Sequence, residues 1–225
     1  MDLSDYKVEG GPPSIFYVPN FISEEDETVL LAKIYQAPKP KWTVLTNRRL
    51  QNWGGLPHPR GMIAEKLPPW LKKYVDDIAE LNLFNGKLPN HVLVNEYRPG
   101  QGIMPHLDGS LFHPTITTIN LGSHSIINFY TPLSNVSKEV PDYKQRLRFS
   151  LMLEPRSLLV LQDECYNNYL HGIDETTKDV VSESVINSKS AHVTVGQELD
   201  RGTRVSLTIR FVPRTTKAPI RIGRN

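Results

Sequence analysis

The chain has 225 residues, 39% hydrophobic and 22% charged, with 26 basic against 24 acidic side chains, an ordinary globular composition with length enough for one domain and a sizeable core. No run approaches the about 18 apolar residues of a membrane span, and residues 1–11 lack the features of a signal peptide, so the expected setting is the cytoplasm and nucleus, with no membrane partner. The one cysteine, Cys165, excludes an intramolecular disulfide and a cysteine-based zinc module, and fits a reducing compartment.

Along the chain, residues 21–37 read as a helix. Ser23 and Asp26 have the spacing of a capping box, acids fill the first turn, Val29, Leu30 and Ile34 keep helical spacing, and Pro38 and Pro40 stop it. The next stretch is basic: residues 28–64 hold Lys33, Lys39, Lys41, Arg48, Arg49 and Arg60 and no carboxylate, and residues 201–225 hold seven basic residues and again none. If the fold brings the two stretches together they form a patch for phosphates; otherwise they are solvated faces. Tyr35, Trp42 and Trp53 interleave with Lys39, Lys41, Arg48 and Arg49, as on a platform for unstacked bases, or else the tryptophans belong to the core. A second helix runs from about Pro68 to Leu83 on an apolar stripe of Trp70, Leu71, Tyr74, Val75, Ile78 and Leu81.

Short runs between turn residues then predict strands at 91–97, 115–121, 125–130, 149–154, 157–162 and 204–211. Helices followed by many short strands predict an α+β, mainly β fold: a β-sandwich or jelly roll supported by N-terminal helices. The chain divides into helical support and a nucleotide-recognition segment over 14–89 and a jelly-roll core over 90–213, within one domain. Two polar stretches, 131–148 and 174–200, have the length of mobile loops or insertions.

Within this frame His106 and Asp108 stand two apart, so extended backbone turns both side chains to one face, where they can hold one ion. Alone that is weak. His171, after the apolar run 157–162 and before Gly172, supplies a third ligand, with His113 and His192 as rivals. Two imidazoles and a carboxylate leave three positions on a metal such as iron open. Residues 204–210 alternate strictly, with Arg204, Ser206, Thr208 and Arg210 on one face. Two arginines framing two hydroxyls suit a dicarboxylate, because guanidinium pairs with carboxylate bidentately; an edge strand facing water would read the same way. Asn95 and Tyr97 share a face of the preceding strand and offer an opposite wall.

The ordered set Asn95-x-Tyr97, His106-x-Asp108, His171 and Arg204-x5-Arg210 resembles the AlkB-like Fe(II)/2-oxoglutarate dioxygenases. Ala37-Pro-Lys-Pro-Lys-Trp42, Leu50-Gln-Asn-Trp-Gly-Gly-Leu-Pro-His-Pro-Arg-Gly61 and Asn90-His-Val-Leu-Val-Asn95 are similar to the sixth eukaryotic AlkB-homologue subfamily. The likeness spans roughly 16–213 and implies a double-stranded β-helix with Fe(II) on His106, Asp108 and His171, and with 2-oxoglutarate and O2 as co-substrates. It implies that Arg204 and Tyr97 meet the distal carboxylate, that Asn95 approaches the chelating end, that Ser206 and Thr208 line the same wall, and that Arg210 steadies Asp108. Ser206 stands where repair-active relatives commonly carry Asn, and the longer gap from His171 to Arg204 implies an insertion at 174–200.

The family oxidises N-methylated nucleobases in RNA or DNA, and RNA is favoured here, with Lys41, Trp42, Arg48, Arg49 and Trp53 as substrate candidates. Repair-active relatives place carboxylates just beyond the metal aspartate to face a cationic base; here Gly109-Ser110-Leu111 follow Asp108, which points to an uncharged base. A protein or small-molecule hydroxylase, and an RNA-binding protein with little turnover, are the alternatives.

Overall fold

The computed structural model describes residues 1–132 and 143–216. Most of the expected loop at 131–148, and the basic tail from Lys217 onward, lie outside the described residues. Among those described, the elements run β1 (Ile15–Val18), α1 (Glu24–Tyr35), β2 (Thr43–Leu45), β3 (Arg48–Trp53), β4 (Met62–Ile63), α2 (Pro69–Glu80), β5 (His91–Tyr97), β6 (Ile103–His106), β7 (Thr115–Gly122), β8 (Ser125–Tyr130), β9 (Leu147–Leu153), β10 (Leu158–Gln162), α3 (Asp163–Asn168), β11 (Leu170–Ile173), β12 (Lys178–Val180), β13 (Glu198–Asp200), β14 (Arg204–Arg210) and β15 (Thr215–Thr216).

Two sheets make the jelly roll. The larger has the order β1-β10-β7-β14-β5-β3-β2 and the smaller β6-β11-β8-β9. Strict alternation divides the larger sheet into two surfaces. Val92, Val94, Val205, Leu207 and Ile209 are fully buried on its outer face against Leu30, Ile34, Leu71 and Ile78 of the two long helices, at about 1.5–3 kcal/mol for each such side chain. The other face meets the smaller sheet across Tyr97, Ile116, Phe129, Leu151, Leu159 and Ile173.

Both long helices form where the sequence predicts them, with two differences. Val29 is 51% exposed although it keeps the spacing of the stripe. At the N-terminus of α1 the Ser23 hydroxyl accepts from the Asp26 amide at 3.0 Å, while the Asp26 carboxylate accepts from Lys73 and Tyr74 of α2 at 2.8 and 2.7 Å. The capping acid thus also ties one helix to the other.

Residues 14–89 hold more than helices, since β1 pairs with β10 and β3 with β5 inside the larger sheet. The stretch 174–200 is more than an added loop: Val181, Val185 and Ala191 are buried in the core between the sheets.

Candidate active site

His106 ends β6 and His171 lies directly opposite it on β11 in an antiparallel register. Gly172 permits this approach: a Cβ there would meet the Ile103 carbonyl oxygen and the Pro105 nitrogen at 2.9 Å each. Asp108 follows two residues after His106, and one ligand atom from each of the three side chains lies within 4.8 Å of the others. The Nδ1 of His106 donates to the Met104 carbonyl at 2.9 Å, because that oxygen can only accept, so Nε2 carries the free lone pair. Burial pushes His171 down to about 4, with His106 and Arg210 adding to the shift and Asp108 opposing it, so its imidazole is neutral and free to ligate. The Asp108 carboxylate accepts from Nη1 of Arg210 at 3.1 Å, and Phe112 lies 3.9 Å from that guanidinium. Beyond Asp108, Gly109 turns at φ +86° and its carbonyl accepts from the Tyr166 hydroxyl at 2.6 Å, so α3 holds the start of that loop. Neither rival histidine joins the group: His113 packs on Phe84 and Phe211, and His192 contacts the Lys189 carbonyl.

A cavity of about 260 Å³ opens between the sheets beside these ligands. Arg204, Ser206, Thr208 and Arg210 of β14 line one side, and Leu93, Asn95 and Tyr97 of β5 continue it. Arg204 is buried in this wall, with Nη2 on Asn120 Oδ1 at 2.6 Å and its guanidinium 5.6 Å from the Tyr97 ring. Burial lowers its pKa to about 10. Its Nε, the Nε of Arg210 and the Asn95 amide oxygen are buried without partners. Among the described residues no carboxylate pairs with Arg204. A buried guanidinium with free N–H groups and no counter-charge is a receptor for an anion.

The family model described as the 2OG-Fe(II) oxygenase superfamily matches residues 32–210. The chain belongs to that superfamily. This oxygenase is 53% identical over 225 residues to the zebrafish (Danio rerio) protein named "Probable RNA/DNA demethylase ALKBH6", an alignment covering 100% of this chain and 96% of that one; the AlkB-like family and its sixth eukaryotic subfamily are the ones the sequence motifs resemble. Two solved structures share the fold. OsALKBH1 matches with a TM-score of 0.60 and 14% identity over 91% of this chain and 99% of that one. A Pseudomonas putida prolyl-4-hydroxylase matches at 0.52 and 13%, over 90% and 93%.

Membership brings Fe(II), 2-oxoglutarate and O2, and the residues present fit the first two. His106, Asp108 and His171 are the donor set that iron takes while keeping three positions open, and the unpaired guanidinium of Arg204 fits a carboxylate at the far end of the cavity. Bound iron supplies the activation of O2 that side chains lack. The residues that line this cavity would hold the co-substrate beside the metal ligands.

The proposed substrate residues divide between the two faces of the larger sheet. Arg48 lines the inner cavity. Lys41, Trp42, Arg49 and Trp53 lie on the outer, helix side: Arg49 donates twice to buried Glu96 at 2.7 Å and covers Trp42 at 4.1 Å, while Lys41 covers Trp53 at 4.1 Å and Trp53 packs edge-on against Trp70. The tryptophans thus take the core position that the sequence leaves open beside a base platform, and the group lies on the face away from the cavity. The strand alternation that turns Arg48 inward turns Arg49 and Trp53 outward, and the tryptophans cover the helix–sheet core. The basic stretch from Arg201 is also not one surface patch, because Arg201, Arg204 and Arg210 are buried. The two stretches do meet where β15 pairs with β4, with Arg60 and Arg214 exposed and Arg214 donating to the Pro59 carbonyl at 2.9 Å. Sequence reasoning missed Asn120 as the partner of Arg204. The alternation of Ile116, Thr118 and Asn120 held the signal, since these three share a face of β7.

Proposed function

We propose that this oxygenase demethylates an uncharged N-methylated nucleobase, in RNA rather than DNA, in the cytoplasm and nucleus. The zebrafish relative's name supports a nucleic-acid substrate, and the exposed pair Arg60 and Arg214 supplies charge suited to phosphates. The observation that carries the uncharged base is a cleft of about 370 Å³ beside Asp108, lined by Leu107, Gly109, Ser110, Phe112, Pro114, Tyr166 and Asn167. Leu107 also lines the inner cavity, so the cleft adjoins the metal ligands. Its walls carry two aromatic rings for stacking and no ionised side chain to compensate a cationic base.

In the proposed reaction His106, Asp108 and His171 hold the iron and Arg204 the distal carboxylate of 2-oxoglutarate. One atom of O2 enters succinate as CO2 leaves, and the other enters the C–H of the N-methyl group. The resulting N-hydroxymethyl group releases formaldehyde and restores N–H.

The test is mass spectrometry of N-methylated RNA oligonucleotides incubated with the iron-loaded protein. Expected are succinate and formaldehyde coupled to loss of the methyl from a neutral base, abolished by His106→Ala. Rapid turnover of 1-methyladenine or 3-methylcytosine overturns the uncharged base. Turnover of a protein or small molecule without RNA binding makes the chain a hydroxylase of another class. RNA affinity that falls with salt but survives His106→Ala, with no turnover, makes it a binding protein.

A further inference from the structure

Three side chains stand in a row across the strands that line the cavity. Arg204 on β14 lies directly opposite Tyr97 on β5. On the other flank of β5, Arg49 pairs with Glu96 and Leu50 with Asn95; continuing that register by one residue sets Arg48 beside Tyr97. The order across three strands is Arg204, Tyr97, Arg48, and all three line the same cavity. Burial raises the Tyr97 pKa, the charges of Arg204 and Arg48 oppose the rise and that of Asp108 adds to it, so both guanidinium groups lie near the one phenol.

The charges at the two ends of the cavity are unequal. Arg210 is paired with Asp108 at 3.1 Å. Arg49, next in sequence to Arg48, has both carboxylate oxygens of Glu96 at 2.7 Å. Arg48 and Arg204 have no carboxylate among the described residues, and each has a buried Nε without a hydrogen bond. Two inward cations flanking a phenol, without a counter-charge, are a receptor for one anion of carboxylate size, since each guanidinium offers a fork of N–H donors and the phenol a directed one. A nucleic-acid phosphate is the less favoured occupant, because the row belongs to the cavity between the sheets, whereas phosphate contacts are made on exposed backbone.

We propose that Arg48 is a second cationic clamp, with Arg204, on the distal carboxylate of 2-oxoglutarate, which moves it from the substrate side of the site to the co-substrate side. The inference rests on assigning the Arg204 end of the cavity to that carboxylate. Arg48 belongs to an edge hairpin that the ordered motif of ligands and arginines does not include, so it is a binding group contributed by the N-terminal half of the chain.

Calorimetry on the full-length, Mn(II)-loaded protein tests this with two ligands, 2-oxoglutarate and 2-oxopentanoate, which has a methyl in place of the distal carboxylate. Arg48→Ala is expected to weaken 2-oxoglutarate about tenfold or more and to leave 2-oxopentanoate within about twofold, with Arg48→Lys recovering part of the loss. Because 2-oxopentanoate is measured on the same variant, general unfolding is distinguished from loss of the clamp. If Arg48→Ala binds 2-oxoglutarate as wild type does while Arg204→Ala does not, the inference is overturned and the parent assignment stands. Should the wild-type protein fail to distinguish the two ligands, the parent assignment falls, and the inference with it. Loss of RNA affinity in Arg48→Ala with unchanged 2-oxoglutarate affinity returns Arg48 to the substrate.

Discussion

Arg210 and His91 face each other across β14 and β5, and only the arginine is charged. His91 is fully buried, its Nε2 3.2 Å from Asn52 Oδ1 and its ring 6.0 Å from Phe112. Burial first, and the nearby Arg210 second, push its pKa down to about 3. The neutral ring leaves the Arg210 charge directed at Asp108. The folded protein keeps His91 unprotonated far below the pH at which the unfolded chain takes up that proton, near 6.5. Its contribution to stability is therefore complete above about pH 6.5 and is lost as the pH falls toward 3, at up to about 1.4 kcal/mol per pH unit. Urea unfolding of wild type and His91→Gln across this range should show a shallower fall in the variant, and parallel curves would refute the assignment. That His91 pairs in register with Arg210 was beyond the sequence, because strand pairing couples residues more than a hundred positions apart.

At the scale of elements, β3 carries the weakest local signal. Its residues Arg48-Arg-Leu-Gln-Asn-Trp53 show no apolar alternation, so the segment reads as a basic recognition stretch, yet it pairs with β5 over five residues. The polarity is explained by its neighbours: Gln51 is fully buried and its amide donates to the Ile34 carbonyl at 2.9 Å, and Arg49 is matched by Glu96. A polar strand can lie in a sheet when the polar groups it buries against the helices find partners; Arg48, on the opposite face, keeps a buried Nε without one. The segment 174–200, which the sequence offers as a mobile loop or an insertion, packs into the core although its few apolar residues are thinly spread. It is held by directed bonds. The Asn187 side chain accepts from the Met152 amide and donates to its carbonyl, both at 2.8 Å, and Arg201 closes the segment on Asp179 through two bonds of 2.8 and 2.7 Å. Asn187→Ala leaves both Met152 groups on β9 unpaired, at about 1–3 kcal/mol for each buried group. We expect a melting temperature several degrees lower and new proteolytic cuts within 181–197; an unchanged melting temperature and cleavage pattern would contradict this anchoring.

For the whole molecule, the site depends on both sheets. Arg204, Tyr97 and Asn95 come from the larger and His106 and His171 from the smaller, so metal and co-substrate bind only a chain whose sheets are closed on each other. Ligands that bind the folded state alone stabilise it by mass action, about 2.7 kcal/mol at one hundred times Kd. For a chain of this size that raises the melting temperature by about 5–10 °C. Thermal melts should show this gain with Mn(II) and 2-oxoglutarate and lose it with a chelator or in His106→Ala; an equal gain in that variant would move the metal elsewhere. The sequence alone determined the jelly-roll class, the ordered ligand and arginine motif and the inward face of β14, because a period of two and a ligand spacing are local properties of extended backbone. Only the tertiary structure decided that Arg48 faces the cavity while Trp42 and Trp53 cover the helices, and that Asn120 supports Arg204. Those relations arise from the pairing of strands distant along the chain, and one residue of register there reverses every side chain.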